Sequence, residues 1–127
     1  FIQHGYLTIK PTVQGDAGFH QNVTEATYLL DKEGELGNNL LPLLSDLGAV
    51  LDAPEVVAAL EALLGEDYVL MAHRHCHVQD ETSSSQPFHR DSYFSFEQFR
   101  HLPPIEAMLY YYPQRVLEGM GPTALLP

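Results

Sequence analysis

The sequence predicts an α+β fold in which helices pack on a sheet. Three observations carry that expectation. A short β-prone run opens the chain at residues 6–9. Apolar residues then recur with a helical period through residues 39–64. From Tyr68 onward the period changes to two. The 127 residues suit one domain, taken as residues 1–127. A chain of this size buries roughly two-thirds of its unfolded surface when it folds.

Residues 6–9 alternate in polarity and end at Lys10-Pro11, the pattern of a short strand. Residues 12–25 are mixed and polar, with Gly15 and Gly18, and read as a loop. Asn22-Val23-Thr24 matches a glycosylation sequon, taken as a chance match. Residues 26–30 fit either a second short strand or the start of a helix. Asn39 precedes Leu40, Leu41, Leu44 and Leu47 at helical spacing, and Pro42 is tolerated in a first turn. Asp52 and Glu55 form a capping-box pattern with Pro54 between them. Val56, Val57, Leu60, Leu63 and Leu64 make one apolar stripe, and Gly65 stands where that helix would stop. Both leucine-rich stripes read as core. Residues 68–79 read as a long strand and 80–86 as a serine-rich loop. Residues 87–93 lead through a turn or short strand into a packed segment holding Phe94, Phe96 and Phe99. Residues 106–112 are rich in aromatics, which favour pleated positions, and 123–126 begin a further strand. There is no internal repeat.

The net charge of −11 disfavours a nucleic acid as partner, because phosphate binding needs a basic surface. Cys76 is the only cysteine, so neither an internal disulfide nor a multi-thiolate zinc site is available. A reducing, cytoplasmic setting is the expectation. No apolar run approaches the roughly 20 residues of a membrane helix. The start at Phe1 and the apolar finish at Leu125-Leu126-Pro127 read as cut ends, since natural termini are usually polar. There is no Gly-rich phosphate loop and no Gly-x-Ser-x-Gly elbow. His89-Arg90-Asp91 spells a kinase catalytic triplet but lacks its accompanying motifs.

The stretch Pro87-Phe88-His89-Arg90-Asp91-Ser92-Tyr93 carries the most chemistry. In an extended chain positions i and i+2 face the same way, so His89 and Asp91 could hold one metal together. A distant histidine would complete a facial triad and leave three positions open on iron(II). Arg90 would point away. By spacing alone His-x-Asp is common, and its ordinary reading is a histidine hydrogen-bonded to a neighbouring carboxylate.

The order of features resembles the phytanoyl-CoA dioxygenase family. The opening Phe1-Ile2-Gln3-His4-Gly5-Tyr6-Leu7 is similar to that family's Phe-x-x-x-Gly-Tyr start. The aromatic-rich His89-x-Asp91 motif follows helices, a long strand and a loop. Gly121-Pro122-Thr123-Ala124-Leu125-Leu126-Pro127 looks like the first part of the family's Gly-x-Leu-x-x-x-Pro-Gly-Ser-His segment. The resemblance is loose over residues 12–66 and best over 86–94 and 119–127. It implies a double-stranded β-helix, a jelly-roll with the N-terminal helices packed on its sheet. It further implies iron(II), with 2-oxoglutarate and O2 as cosubstrates, and hydroxylation of a small organic substrate with release of succinate and CO2. His89 and Asp91 would be iron ligands. The second ligating histidine, and an arginine that pairs with the far carboxylate of 2-oxoglutarate, would lie downstream of Pro127.

The resemblance also makes residues 68–79 a strand lining the cosubstrate pocket. Alternation puts His73, His75, His77 and Gln79 on one face. His73 or His75 would then reach 2-oxoglutarate, and Tyr110 would pack beside it. The bland alternatives are polar residues in a wet barrel for the histidines and sheet packing for Tyr110. His101 is a poor substitute for the missing ligand. Two rivals stand beside the oxygenase. One is a cupin-type metal site of His75, His77 and Glu81, which lacks the glycines expected at positions 69 and 88. The other is a binding module of the same fold without catalysis. Ligation needs a neutral imidazole, so metal affinity should fall as pH drops through roughly 6.5.

Overall fold

The computed structural model describes residues 3–13, 16–35, 37–80, 82–89 and 104–126; the side chains of Asp16 and Ala17 are not described. Three helices appear in chain order: α1 (Asp16–Glu33), α2 (Gly48–Leu51) and α3 (Pro54–Leu64). Two 3₁₀ turns, Ser45–Leu47 and Glu118–Met120, complete the regular structure.

α1 occupies a stretch expected to begin as a loop. Its apolar residues Phe19, Val23, Ala26 and Leu30 recur at helical spacing, and Val23 is buried. Two threonines that would weaken the helix are accommodated locally. The hydroxyls of Thr24 and Thr27 donate to the carbonyls of His20 and Val23 at 2.9 and 2.8 Å. The Gln21 amide donates to Glu25 one turn on at 2.8 Å. The helix ends in a Schellman arrangement at Gly34, whose φ is +74°. There the Gly34 N–H donates to the Asp31 carbonyl at 3.0 Å and the Glu35 N–H to the Leu30 carbonyl at 2.9 Å.

The helix expected over residues 39–47 is broken. Leu40 is buried, but the chain turns there, with the Leu43 and Leu44 N–H groups donating to its carbonyl at 3.0 and 2.9 Å. Pro42 disfavours helical backbone at Leu41 and has no N–H to donate. The chain then tightens into the 3₁₀ turn and reaches α2 only at Gly48.

α3 lies where the sequence places it. Ala53 is extended at its N-cap (φ −60°, ψ 132°), as a residue before proline should be. The capping box does not form, because no side chain caps this end. The Glu55 carboxylate instead accepts the Thr12 backbone N–H at 3.1 Å and the Thr12 hydroxyl. Gly65, at φ +91°, ends the helix, and its N–H donates to the Glu61 carbonyl at 2.9 Å. α2 packs against α3 and against the 3₁₀ turn before it. The buried apolar residues are Val13, Val23, Leu40, Val50, Ala53 and Val56.

Among the described residues there is no β-strand, and hence no sheet. This overturns the double-stranded β-helix and the α+β reading behind it. The runs at residues 6–9, 68–79, 106–112 and 123–126 do not pair into strands. Residues 73–78 do alternate: His73, His75 and His77 are exposed, while Arg74, Cys76 and Val78 are half-buried. The alternation in exposure is present over 73–78, but the long strand read over 68–79 does not form, and the chain bends at Ala72. A strand is defined by a neighbour that takes its hydrogen bonds. Here the pairing is one isolated parallel bridge between Asn39 and Arg74. The Arg74 N–H donates to the Asn38 carbonyl at 2.7 Å, the Leu40 N–H to the Arg74 carbonyl at 3.0 Å, and Arg74 Nε to Asn39 Oδ1 at 2.8 Å.

Large apolar side chains are correspondingly exposed among the described residues: Val69, Phe88, Ile105 and Leu126 are all more than 60% exposed.

Candidate metal-ligating site

His89 is exposed, and its ring is tied to its own backbone. Nδ1 lies 2.8 Å from the Pro87 carbonyl oxygen. A carbonyl can only accept, so Nδ1 carries the proton in this contact. The lone pair then lies on Nε2, the nitrogen a metal would take. Asp91, Glu81, His101 and the aromatic segment of residues 93–100 lie outside the described residues. The His89–Asp91 pair, and the glutamate of the cupin-type reading, are therefore not described as assemblies.

The three histidines of residues 73–77 are brought together. The His73 and His75 rings lie 6.0 Å apart between centroids and are stacked at 25°. Those of His75 and His77 lie 4.6 Å apart at 78°. Two fixed points bracket the run. One is the Arg74 bridge. The other is the turn at Asp80, where Oδ1 accepts the Thr82 N–H at 2.8 Å, the Thr82 hydroxyl at 2.7 Å and the Ser83 hydroxyl at 3.1 Å. The Thr82 hydroxyl, with further bonds from the Thr82 backbone and Ser83, holds the Asp80 carboxyl below the usual aspartate range. On the opposite side of the run, burial, with the Asp31 charge adding to it, pushes the Cys76 thiol up. Cys76 is accordingly a poor thiolate and a poor metal ligand.

These histidines line no barrel, so the expected placement of His73 and His75 in a cosubstrate pocket loses its scaffold. The same holds for Tyr110, which is 48% exposed on an extended segment. Its neighbours have defined partners. The Tyr112 hydroxyl donates to Thr123 Oγ1 at 2.7 Å. Tyr111 Oη lies 2.6 Å from His20 Nδ1, and burial raises the Tyr111 hydroxyl above its ordinary value. The His20–Tyr111 contact joins α1 to the C-terminal segment beside an open groove lined by Gln21, Thr24, Glu25, Pro113 and Gln114. Reading residues 12–25 as a loop concealed it; the Phe19, Val23, Ala26, Leu30 spacing was the available signal.

Gly121, in the left-handed region at φ +66°, lies against Gln79; a Cβ there would come within 2.8 Å of Gln79 Oε1. The end of the histidine run and the Gly121 segment are thus neighbours. Among the described residues no group of three or more His, Cys, Asp or Glu is arranged to hold a metal ion. No helix among them is long and apolar enough to cross a membrane.

No family model, no curated protein and no solved structure matches the chain. The likeness to the phytanoyl-CoA dioxygenases thus rests on the sequence motifs alone: the opening at residues 1–7 and those around His89 and Gly121.

Proposed function

We propose that this chain supplies His89 and Asp91 to the iron(II) centre of a 2-oxoglutarate-dependent oxygenase acting on a small organic substrate. The observation that supports the reading is the Pro87 carbonyl bond to His89 Nδ1. Ligating histidines are usually held by a hydrogen bond from the other ring nitrogen, which fixes both tautomer and ring orientation. A carboxylate two positions on, at Asp91, suits the second ligand place. Iron and 2-oxoglutarate would supply the oxidising power that hydroxylates the substrate with O2, releasing succinate and CO2. His89 and Asp91 would fix the ion. A further histidine is required, and the resemblance places it beyond the segment of residues 121–127. His73, His75 and Tyr110 are tied to 2-oxoglutarate only through a barrel interior, so the proposal does not use them.

The test is an anaerobic iron(II) titration of the full-length protein beside His89→Ala and Asp91→Ala, with succinate release from 2-oxoglutarate as second readout. Both substitutions should remove bound iron and succinate formation. Iron retained undiminished in both variants would refute the assignment.

A further inference from the structure

We infer that His75 and His77 form a separate surface chelate for a divalent transition-metal ion of the imidazole-preferring kind, with copper(II) the tightest. The inference is independent of the iron reading: it uses other residues and another ion.

The geometry of the pair decides it. With metal–nitrogen bonds of about 2.0–2.1 Å and a ring centre about 1.1 Å further on, each imidazole centre lies roughly 3.2 Å from the ion. Two imidazoles at about 90–110° around one ion then have centres roughly 4.5–5.2 Å apart. The His75–His77 separation of 4.6 Å falls inside that window, with the rings nearly perpendicular at 78°. The His73–His75 separation of 6.0 Å falls outside it, so His73 is not the chelating partner. The pair also needs no sheet. Positions i and i+2 of one extended stretch present both rings to the same side. That stretch is held at Arg74 by two backbone hydrogen bonds, with Asn38 and Leu40, which lowers the ordering cost of binding.

The ligand chemistry selects the ion. Neutral imidazoles suit copper, nickel and zinc, and affinity at a given nitrogen site peaks at copper(II). The one neighbouring thiol, Cys76, lies on the half-buried side of the stretch, opposite the exposed His75 and His77. Among the described residues no group of three or more His, Cys, Asp or Glu is arranged to hold an ion, so the proposal rests on the two imidazoles. A net charge of −11 raises the local concentration of cations.

Copper(II) alone, titrated into the protein against a competing chelator, tests this, with the nitrogen couplings of the bound ion read by electron paramagnetic resonance. We expect one tight site with two imidazole nitrogens. His75→Ala and His77→Ala should each remove one nitrogen and weaken binding by about tenfold or more. His4→Ala and the double change His89→Ala/Asp91→Ala should leave the site intact. Both histidines are exposed, so circular dichroism should confirm an unchanged fold in each variant. Unaltered affinity in the His75→Ala/His77→Ala double variant would overturn the proposal. So would loss of copper only with His89 and Asp91, which would make the iron ligands the copper site.

Discussion

Val56→Ala measures how much of the fold rests on its small core. Val56 sits in the first turn of α3 and is 2% exposed. The change removes two buried carbons, worth about 1.6 kcal/mol at about 0.8 kcal/mol each. The cavity left behind adds to that loss wherever the surroundings do not collapse. Alanine is the better helix former by roughly 0.5 kcal/mol, which offsets part of it. The net expectation is a loss of about 1–2 kcal/mol. Val57 is the internal control. It is half-buried in the same helix and gains the same propensity on truncation. Val57→Ala should therefore cost under about 0.5 kcal/mol. Urea unfolding followed by far-ultraviolet circular dichroism resolves the two. With slopes of about 1–3 kcal/mol per molar, Val56→Ala should lower the midpoint by roughly 0.3–2 M. Equal midpoints for the two variants would refute the burial argument, because they differ in little else.

Two further substitutions probe the tethers. Thr12→Val removes the hydroxyl that lowers the Glu55 pKa most. A carboxylate with a depressed folded pKa adds stability that is present above its unfolded value, about 4.3, and lost as pH falls through the lower folded value. The variant should therefore show a shallower loss of stability below about pH 4.3 than the parent; identical acid profiles would show that the contact is not maintained in solution. Gly121→Ala should cost about 1–2 kcal/mol from the left-handed backbone alone. The Gln79 side chain would also have to move. An unchanged unfolding midpoint would show that residues 119–123 relax out of that conformation.

The helical half was partly legible and the rest was not, for identifiable reasons. α3 could be read because three independent signals agreed: Pro54 at its start, a five-residue apolar stripe, and Gly65 at its end. α1 was missed because Thr24, Thr27 and Gly18 depress helix propensity, and only the side-chain bonds to the preceding turn reveal how the threonines are accommodated. The Asp52–Glu55 box failed because the helix begins at Pro54 with Ala53 as its N-cap, so Asp52 lies outside the cap, and the Glu55 carboxylate bonds Thr12 instead. Residues 68–79 were read as one long strand, and they form none, with a bend at Ala72; whether an alternating stretch joins a sheet depends on a partner that no local pattern encodes. The candidate site follows the same division. That His75 and His77 share a side was readable from spacing, whereas their separation and the Pro87 bond that orients His89 required coordinates.

Both metal-binding proposals rest on pairs at i and i+2, and this is why they survive the loss of the barrel. In a barrel, ligands from distant strands are positioned by the sheet, and the third ligand of an iron site depends on it. A pair two residues apart depends only on the φ and ψ of the residues between and beside it. Beside His75 the restraint is the Arg74 bridge. At His89 a hydrogen bond joins the ring to the backbone two residues earlier. At the copper site the two ring centres already lie at a separation that a shared ion allows. The two proposals are therefore separable by mutation of one pair at a time.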